Sequence, residues 1–282
     1  FKAPTIAVAH SCPLGWHQAV KGTAVPESWR TYETAARRGL LSARAVVAPT
    51  CAMLDSIIAN YGELPHTQVI PNGRRSFGGE HGPKWPFILC AGRLWDEAKN
   101  VSLLEEAAPR LSWPVWLAGE VTLSHSRPRR CRNNINLLGQ LPFAELARWL
   151  GRAAIYCLPA KYEPFGLGPL EAGLSGCALV LGDIASLREV WGKAALYVPT
   201  DNRDVLVDTL QQLIQQPALC EKYGQLARER AARYSPDRMA TAYLALYRKL
   251  VEPRRDGATG GLSASAGTGR QVASGTKSPE AA

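Results

Sequence analysis

From residue 5 to residue 250 the chain alternates short, continuous apolar runs with longer stretches whose apolar residues recur at helical spacing. Continuous apolar runs, unlike alternating ones, suit strands buried on both faces. They stand at 5–9, 45–48 and 67–70, and again at 86–91, 115–118, 135–138, 154–158, 178–181 and 195–198. Helical patterns lie at 27–41, 50–60, 101–111, 143–150, 169–174 and 187–191, then at 203–215, 219–233 and 235–250 in succession. Pro26 and Gly39 bracket the first of these, and Thr50 stands where the second needs an N-cap. Strand and helix in regular alternation predict an α/β fold built on a parallel, doubly wound sheet.

Three stretches break the alternation. Residues 10–25, rich in Gly, Cys, Pro and Trp, read as a substrate-type loop. Residues 74–84, polar and glycine-rich after Pro71-Asn72-Gly73, read as an interdomain linker. From 253 onward Gly, Ala, Ser and Thr replace any periodicity, which predicts a disordered tail over 253–282. The expected organisation is therefore 1–73, a linker at 74–84, a main domain at 85–234, a final helix at 235–252, and the tail. Three strands and two helices before the linker are too few for an independent doubly wound domain.

Composition changes this picture little. With 282 residues, 46% of them apolar and 20% charged, the chain has material for a sizeable core and an ordinary surface. No uncharged apolar run reaches the ~18 residues of a membrane span. The chain begins at Phe1, with no signal peptide in view. Seven cysteines are scattered without a CxxC pair, which fits buried thiols in a reducing cytoplasm. The five histidines have no ligand spacing, so no metal is expected. A net charge of +9 raises the question of nucleic acid. The arginines spread over helices without interleaved aromatics, which argues against it. A basic cleft for an anionic small molecule, or a face that visits anionic lipid, accounts for the excess equally well. GxxxxGK[ST] is absent and no GxGxxG follows a strand, so a P-loop NTPase and a dinucleotide oxidoreductase are disfavoured. Trp95, Trp113, Trp116 and Trp149 lie in or beside apolar elements and read as core.

The chemistry concentrates between Ile155 and Gly192. An apolar strand there ends in a loop carrying Glu163 and then Phe165-Gly166-Leu167-Gly168, with Pro169 at a helix start and Glu171 in its first turn. Gly168 as N-cap and Pro169 at N1 are the expected boundary. Free N–H groups and the positive dipole end at such a start suit a phosphate. Carboxylates beside a phosphate would repel it unless they face hydroxyls or a developing positive charge, as sugars provide. Upstream, Gly92-Arg93 ends a strand and Lys99 follows shortly after, two cations where open sheets collect ligands.

Glu163, seven residues and Glu171, set in EPFGLGPLEAGLSG, closely resemble the E-x7-E motif of retaining GT-B glycosyltransferases of family 4. The resemblance runs through most of 5–250. It implies a GT-B fold: a complete C-terminal domain, and an N-terminal Rossmann-like domain whose first half is missing. The final helix would cross back onto that N-terminal domain. It also implies transfer of a sugar from a nucleoside diphosphate donor to an acceptor hydroxyl with retention, without metal or cofactor. On that resemblance Arg93 and Lys99 clamp the diphosphate, Glu171 grips the ribose, and Glu163 and His10 meet the donor sugar. Gly92, Phe165, Gly166 and Leu167 form the rest of the donor loop, and Leu138-Gly139 flanks the base. Asp183, Glu189, Lys21 and Trp16 are given no role beyond turn, helix or packing. The acceptor would be a carbohydrate, a lipid-linked or a small molecule, with peripheral contact at the inner membrane face compatible with the charge. Two alternatives stay open: a non-catalytic GT-B remnant that binds nucleotide sugar, and another GT-B enzyme such as an epimerase or phosphorylase.

Overall fold

The runs at the centre of the pattern become the two central strands of a six-stranded parallel sheet. The structure, a computed structural model, describes residues 3–76, 82–120 and 133–251. The expected tail and the middle of the expected linker lie outside the described residues. A smaller sheet comes first, from β1 (Ile6–Val8), β2 (Ala45–Ala48) and β3 (Thr67–Val69), parallel and in that order. The larger sheet contains β4 (Trp85–Ala91), β5 (Val115–Ala118), β6 (Ile135–Gly139), β7 (Ala153–Leu158), β8 (Ala178–Gly182) and β9 (Leu196–Val198). Its order is β6-β5-β4-β7-β8-β9, with Ile88 opposite Ile155 and Leu89 opposite Tyr156 in the central pair. Sheet order reverses between β4 and β7, and a crevice opens at the carboxyl ends of strands at such a switch point.

Helices cover both faces, which is why β7 and β8 are buried along their whole length. They are α1 (Pro13–Lys21), α2 (Arg30–Ser42), α3 (Cys51–Tyr61), α4 (Val101–Ala107), α5 (Phe143–Arg152), α6 (Leu167–Leu174), α7 (Ala185–Trp191), α8 (Arg203–Gln215), α9 (Pro217–Ala231) and α10 (Pro236–Val251). The main core joins Ile88, Leu89, Ile155, Tyr156, Leu179 and Val180 to Leu170, Trp191 and Ala227 from the helices. The last helix, α10, packs Met239, Tyr243 and Leu246 on Ala45, Val47 and Ile70 of the first sheet.

Two expectations are corrected. Residues 10–25 are not all loop, because α1 lies within them. Its cap is a cysteine: Cys12 Sγ accepts from Gly15 N at 3.3 Å, Pro13 supplies a preset first turn, and Gly22 ends the helix in the left-handed region at φ 64°. The start of α6 is also earlier than the glycine-proline order suggested. Gly166, at φ 92°, is the N-cap, so Leu167 and Gly168 already belong to the helix.

Candidate functional site

The carboxyl ends of β4 and β7 and the start of α6 enclose a cleft of about 470 Å³. His10, Gly92, Arg93, Lys99, Glu163, Phe165, Gly166, Leu167 and Glu171 all line it, together with Asn72 and Tyr156. Leu138 and Gly139 do not: they end β6, one strand beyond β5, with Gly139 O accepting from Gly119 N at 2.7 Å.

The loop after β7 is fixed at several points. Ser186 Oγ donates to Glu163 O at 2.5 Å, and Thr50 Oγ1 donates to Pro164 O at 2.8 Å while capping α3 by accepting from Met53 N at 3.0 Å. The Glu163 side chain meets Lys99, Nζ to Oε2 at 2.6 Å, with 15% and 14% of the two side chains exposed. Lys99 closes a 3-10 turn over Glu97–Lys99 whose N-cap, Asp96, accepts from Ala98 N. Asp96 thereby fixes the backbone from which Lys99 projects.

Asp96 is nearly buried, with a side chain 5% exposed, and it also accepts from Arg93 Nη2 at 2.9 Å and from Trp16 Nε1 at 3.2 Å. Arg93 is thus held through one guanidinium nitrogen while 62% of its side chain stays exposed at the cleft mouth. The Arg93 guanidinium rests 5.6 Å from the ring centre of Trp95, whose indole donates to Glu120. Trp95 therefore supports the arginine and is not a core residue, which corrects that expectation. Trp16 and Lys21, given no role from the sequence, reach this turn from α1; Lys21 pairs with Glu97 at 2.7 Å.

At the floor, the hydroxyl of Tyr156 donates to Ala91 O at 3.0 Å, and a Cβ on Gly168 would stand 2.6 Å from that hydroxyl oxygen. Gly168 therefore lets α6 approach β7. Burial, then the neighbouring Cys90 and the carboxylates Glu163 and Glu171, push the Tyr156 phenol well up. Glu171 sits in the second turn's approach of α6, its side chain 11% exposed, with Oε1 2.7 Å from Nε of Arg74. Burial pushes its carboxyl above the ordinary range, and Arg74 works against that shift. The site so combines a helix N-terminus, cations at the mouth, and two largely dehydrated carboxylates, each already facing a cation.

Sequence reasoning missed Arg74, Asp96, Tyr156 and Asn72. Asp96 carried a signal, because an aspartate three residues before Lys99 is well placed to cap its turn. Arg74 carried none, since it lies in the stretch read as linker. Among the described residues no group of three or more His, Cys, Asp or Glu is placed to hold a metal ion, and no helix is long and apolar enough to cross a membrane.

Comparison with known proteins bears on the family and the fold. Residues 86–216 match the family of glycosyl transferases group 1. The chain is 28% identical over 260 residues to glycogen synthase of Mycobacterium tuberculosis, covering 82% of this chain and 59% of that protein. It is 25% identical over 290 residues to alpha-maltose-1-phosphate synthase of Mycolicibacterium smegmatis, covering 89% and 74%. Sucrose-phosphate synthase from Thermosynechococcus elongatus superimposes with a TM-score of 0.73 at 20% identity, over 87% of this chain and 67% of that one. Anabaena HepE, solved in complex with UDP and glucose, gives 0.69 at 16% identity over 89% and 72%. These likenesses show a GT-B fold.

Proposed function

We propose, from the match of residues 86–216 to the family of glycosyl transferases group 1, that the chain serves a retaining sugar transfer from a nucleoside diphosphate donor to an acceptor hydroxyl. The carrying observation is the convergence of Lys99, Glu163, Glu171 and the α6 N-terminus in one cleft at the sheet's switch point. HepE, similar in fold, was solved with UDP and glucose, and this supports a nucleotide-sugar donor here.

In this reading the donor diphosphate lies against the N–H groups at Gly166 and Leu167, between Arg93 and Lys99. Arg93, 62% exposed, would exchange its contact with Asp96 for a grip on the diphosphate, and Lys99 acts as a point charge. As the bond from the anomeric carbon to the phosphate oxygen breaks, negative charge gathers on the diphosphate, where these groups are already placed. Positive charge gathers on the sugar ring, which Glu163 and His10 face. A diphosphate that draws Lys99 toward itself would turn Glu163 toward the sugar at the same moment. With retention in a single displacement, the acceptor attacks the face the diphosphate leaves, and a departing phosphate oxygen can take its proton. Glu171 accepts from the ribose hydroxyls.

The test is thermal melting of the full chain against UDP, GDP and ADP sugars, beside Arg93→Ala and Glu171→Ala. Ligand at 100 times its Kd adds about 2.7 kcal/mol, enough to read as a melting shift. We expect a shift with one base that both variants lose. No shift with any nucleotide overturns the donor site and leaves a glycosyltransferase fold that does not bind donor.

A further inference from the structure

Arg74 lies outside the ring of residues that line the cleft, yet it makes the ion pair with one of the cleft's two carboxylates. We propose that Arg74 is a positioning residue: it holds Oε1 of Glu171 from behind, so that the carboxylate stays ionised and presents its other oxygen to the ribose of the donor. This rests on the donor-site reading above and adds a residue that neither the motif nor the sequence patterning singles out.

Four observations carry it. First, the backbone around Arg74 is pinned on both sides of its peptide. Arg74 N donates to Tyr234 O at 3.0 Å, and a Cβ on Gly73 would stand 2.3 Å from Ser235 O, so the crossover lies flat on the turn between α9 and α10. Second, the side chain is propped: its guanidinium carbon stands 5.0 Å from the ring centre of Phe143, an aromatic that is 55% exposed at the start of α5. Third, Nε reaches Oε1 of Glu171 at 2.7 Å, a charge-assisted contact that engages one oxygen of the carboxylate and leaves the other for a ligand. Fourth, Asn72, two residues earlier on the same pinned segment, does line the cleft. The crossover thus touches the donor cavity in front and the donor carboxylate behind.

The physical need is clear. Burial pushes the Glu171 carboxyl up, and among its neighbours Arg74 pulls it back. The other charged or titratable groups of the cleft are His10 after β1, Tyr156 from β7, Glu163 and Lys99, already paired, and Arg93 at the mouth. Arg228 on α9 lies at the opposite end of α6, against Gly176. A protonated carboxyl loses acceptor capacity toward two vicinal hydroxyls, while an ionised one accepts both.

The experiment compares wild type, Arg74→Met and Arg74→Lys. The Glu171 carboxyl is followed by its 13C resonance across pH 4 to 9, and the Kd of the nucleoside diphosphate found by melting is measured at one pH on the acid side of the titration so located and one well above it. The Glu171 titration should move upward in Arg74→Met and return toward wild type in Arg74→Lys. Each unit of that movement costs up to about tenfold in affinity below the titration and nothing well above it, so the loss should be large on the acid side and small on the alkaline side. A merely structural Arg74 would weaken binding equally at both pH values, and that result, or an unmoved Glu171 titration, overturns the proposal. If the titration moves but no nucleotide binds even the wild type, the donor reading falls while the hold of Arg74 on Glu171 stands.

Discussion

Lys99 and Glu163 come from different ends of the cleft wall, one from the turn after β4 and the other from the loop after β7, and meet at 2.6 Å with little water around either. Among the described residues neither charge has another ion-pair partner as close, and each was placed in the site by the family resemblance for a separate task. The meeting gives the cleft wall a charge balance that a diphosphate, on the proposed reading, would rearrange.

That pair gives the first prediction. Lys99→Met leaves Glu163 as a largely dehydrated carboxylate without its cation, which costs about 1–3 kcal/mol of folding stability. The double variant Lys99→Met/Glu163→Gln should recover part of the loss, because a neutral amide tolerates the burial. Urea unfolding of the two singles and the double closes the cycle, and a double variant as unstable as the sum of the singles would refute the coupling.

A second prediction concerns the brace between the two sheets. Glu189 on α7 accepts from the free N–H groups of Cys51 and Ala52, at 2.8 and 3.0 Å, in the first turn of α3. A carboxylate at a helix N-terminus satisfies orphan donors and faces the positive dipole end. Glu189→Ala should therefore lower stability by about 0.5–2 kcal/mol, the range of a lost N-cap. Because Thr50 also holds Pro164 O, the variant should further raise the KM for donor more than it lowers kcat, once an acceptor is known. Steady-state kinetics with the donor varied would decide.

These braces show where sequence was readable and where it was not. The runs that became β4 and β7 were legible because full burial on both faces leaves an unbroken apolar signature. Glu163, Glu171 and Lys99 were legible through their motif, and geometry then placed all three on one cleft. The helix α1 was not: Gly15 and Trp16 interrupt its start, and the cap is a cysteine. Gly15 is there for packing, since a Cβ on it would stand 2.6 Å from Ser56 Oγ of α3. Lys84, taken as the end of a linker, donates to Leu150 O at 3.1 Å and Ser175 O at 2.7 Å, tying the ends of α5 and α6 together. Contacts like this, or that of Arg74 with Glu171, depend on where distant segments land and leave no local periodicity to read.

A third prediction tests the approach of two strand ends. A Cβ on Gly119 would stand 1.8 Å from Gly92 O, and Gly119 sits at φ 136°, where side chains are strained. Gly119→Ala must push the Gly92-Arg93 turn away from β5. It should destabilise the fold by about 1–3 kcal/mol and weaken nucleotide binding with it. Gly192→Ala, at φ 53° but with nothing within 4 Å of a new Cβ, is the control: it carries backbone strain without displacing Gly92. Equal loss of nucleotide affinity in both would show that strain, and not the displaced turn, is responsible.

The last prediction sets stability against the site. The folded carboxyl of Glu171 is pushed above its ordinary value, so the folded state binds that proton more tightly than the unfolded chain does. The sign follows: below the ordinary carboxylate range both states are protonated and the residue is neutral in effect. As pH rises through the window between the unfolded and the raised folded value, the ionised form becomes a cost to folding, fully present above that window. Glu171→Gln mimics the protonated form and keeps an oxygen for Arg74. Its melting temperature relative to wild type should therefore climb as pH rises from about 4 toward 8, even as nucleotide binding is lost. A difference that stays flat with pH would mean that Arg74 fully offsets the burial of Glu171. A stabilised but non-binding Glu171→Gln would mark the carboxylate as a group the fold tolerates for the sake of its ligand.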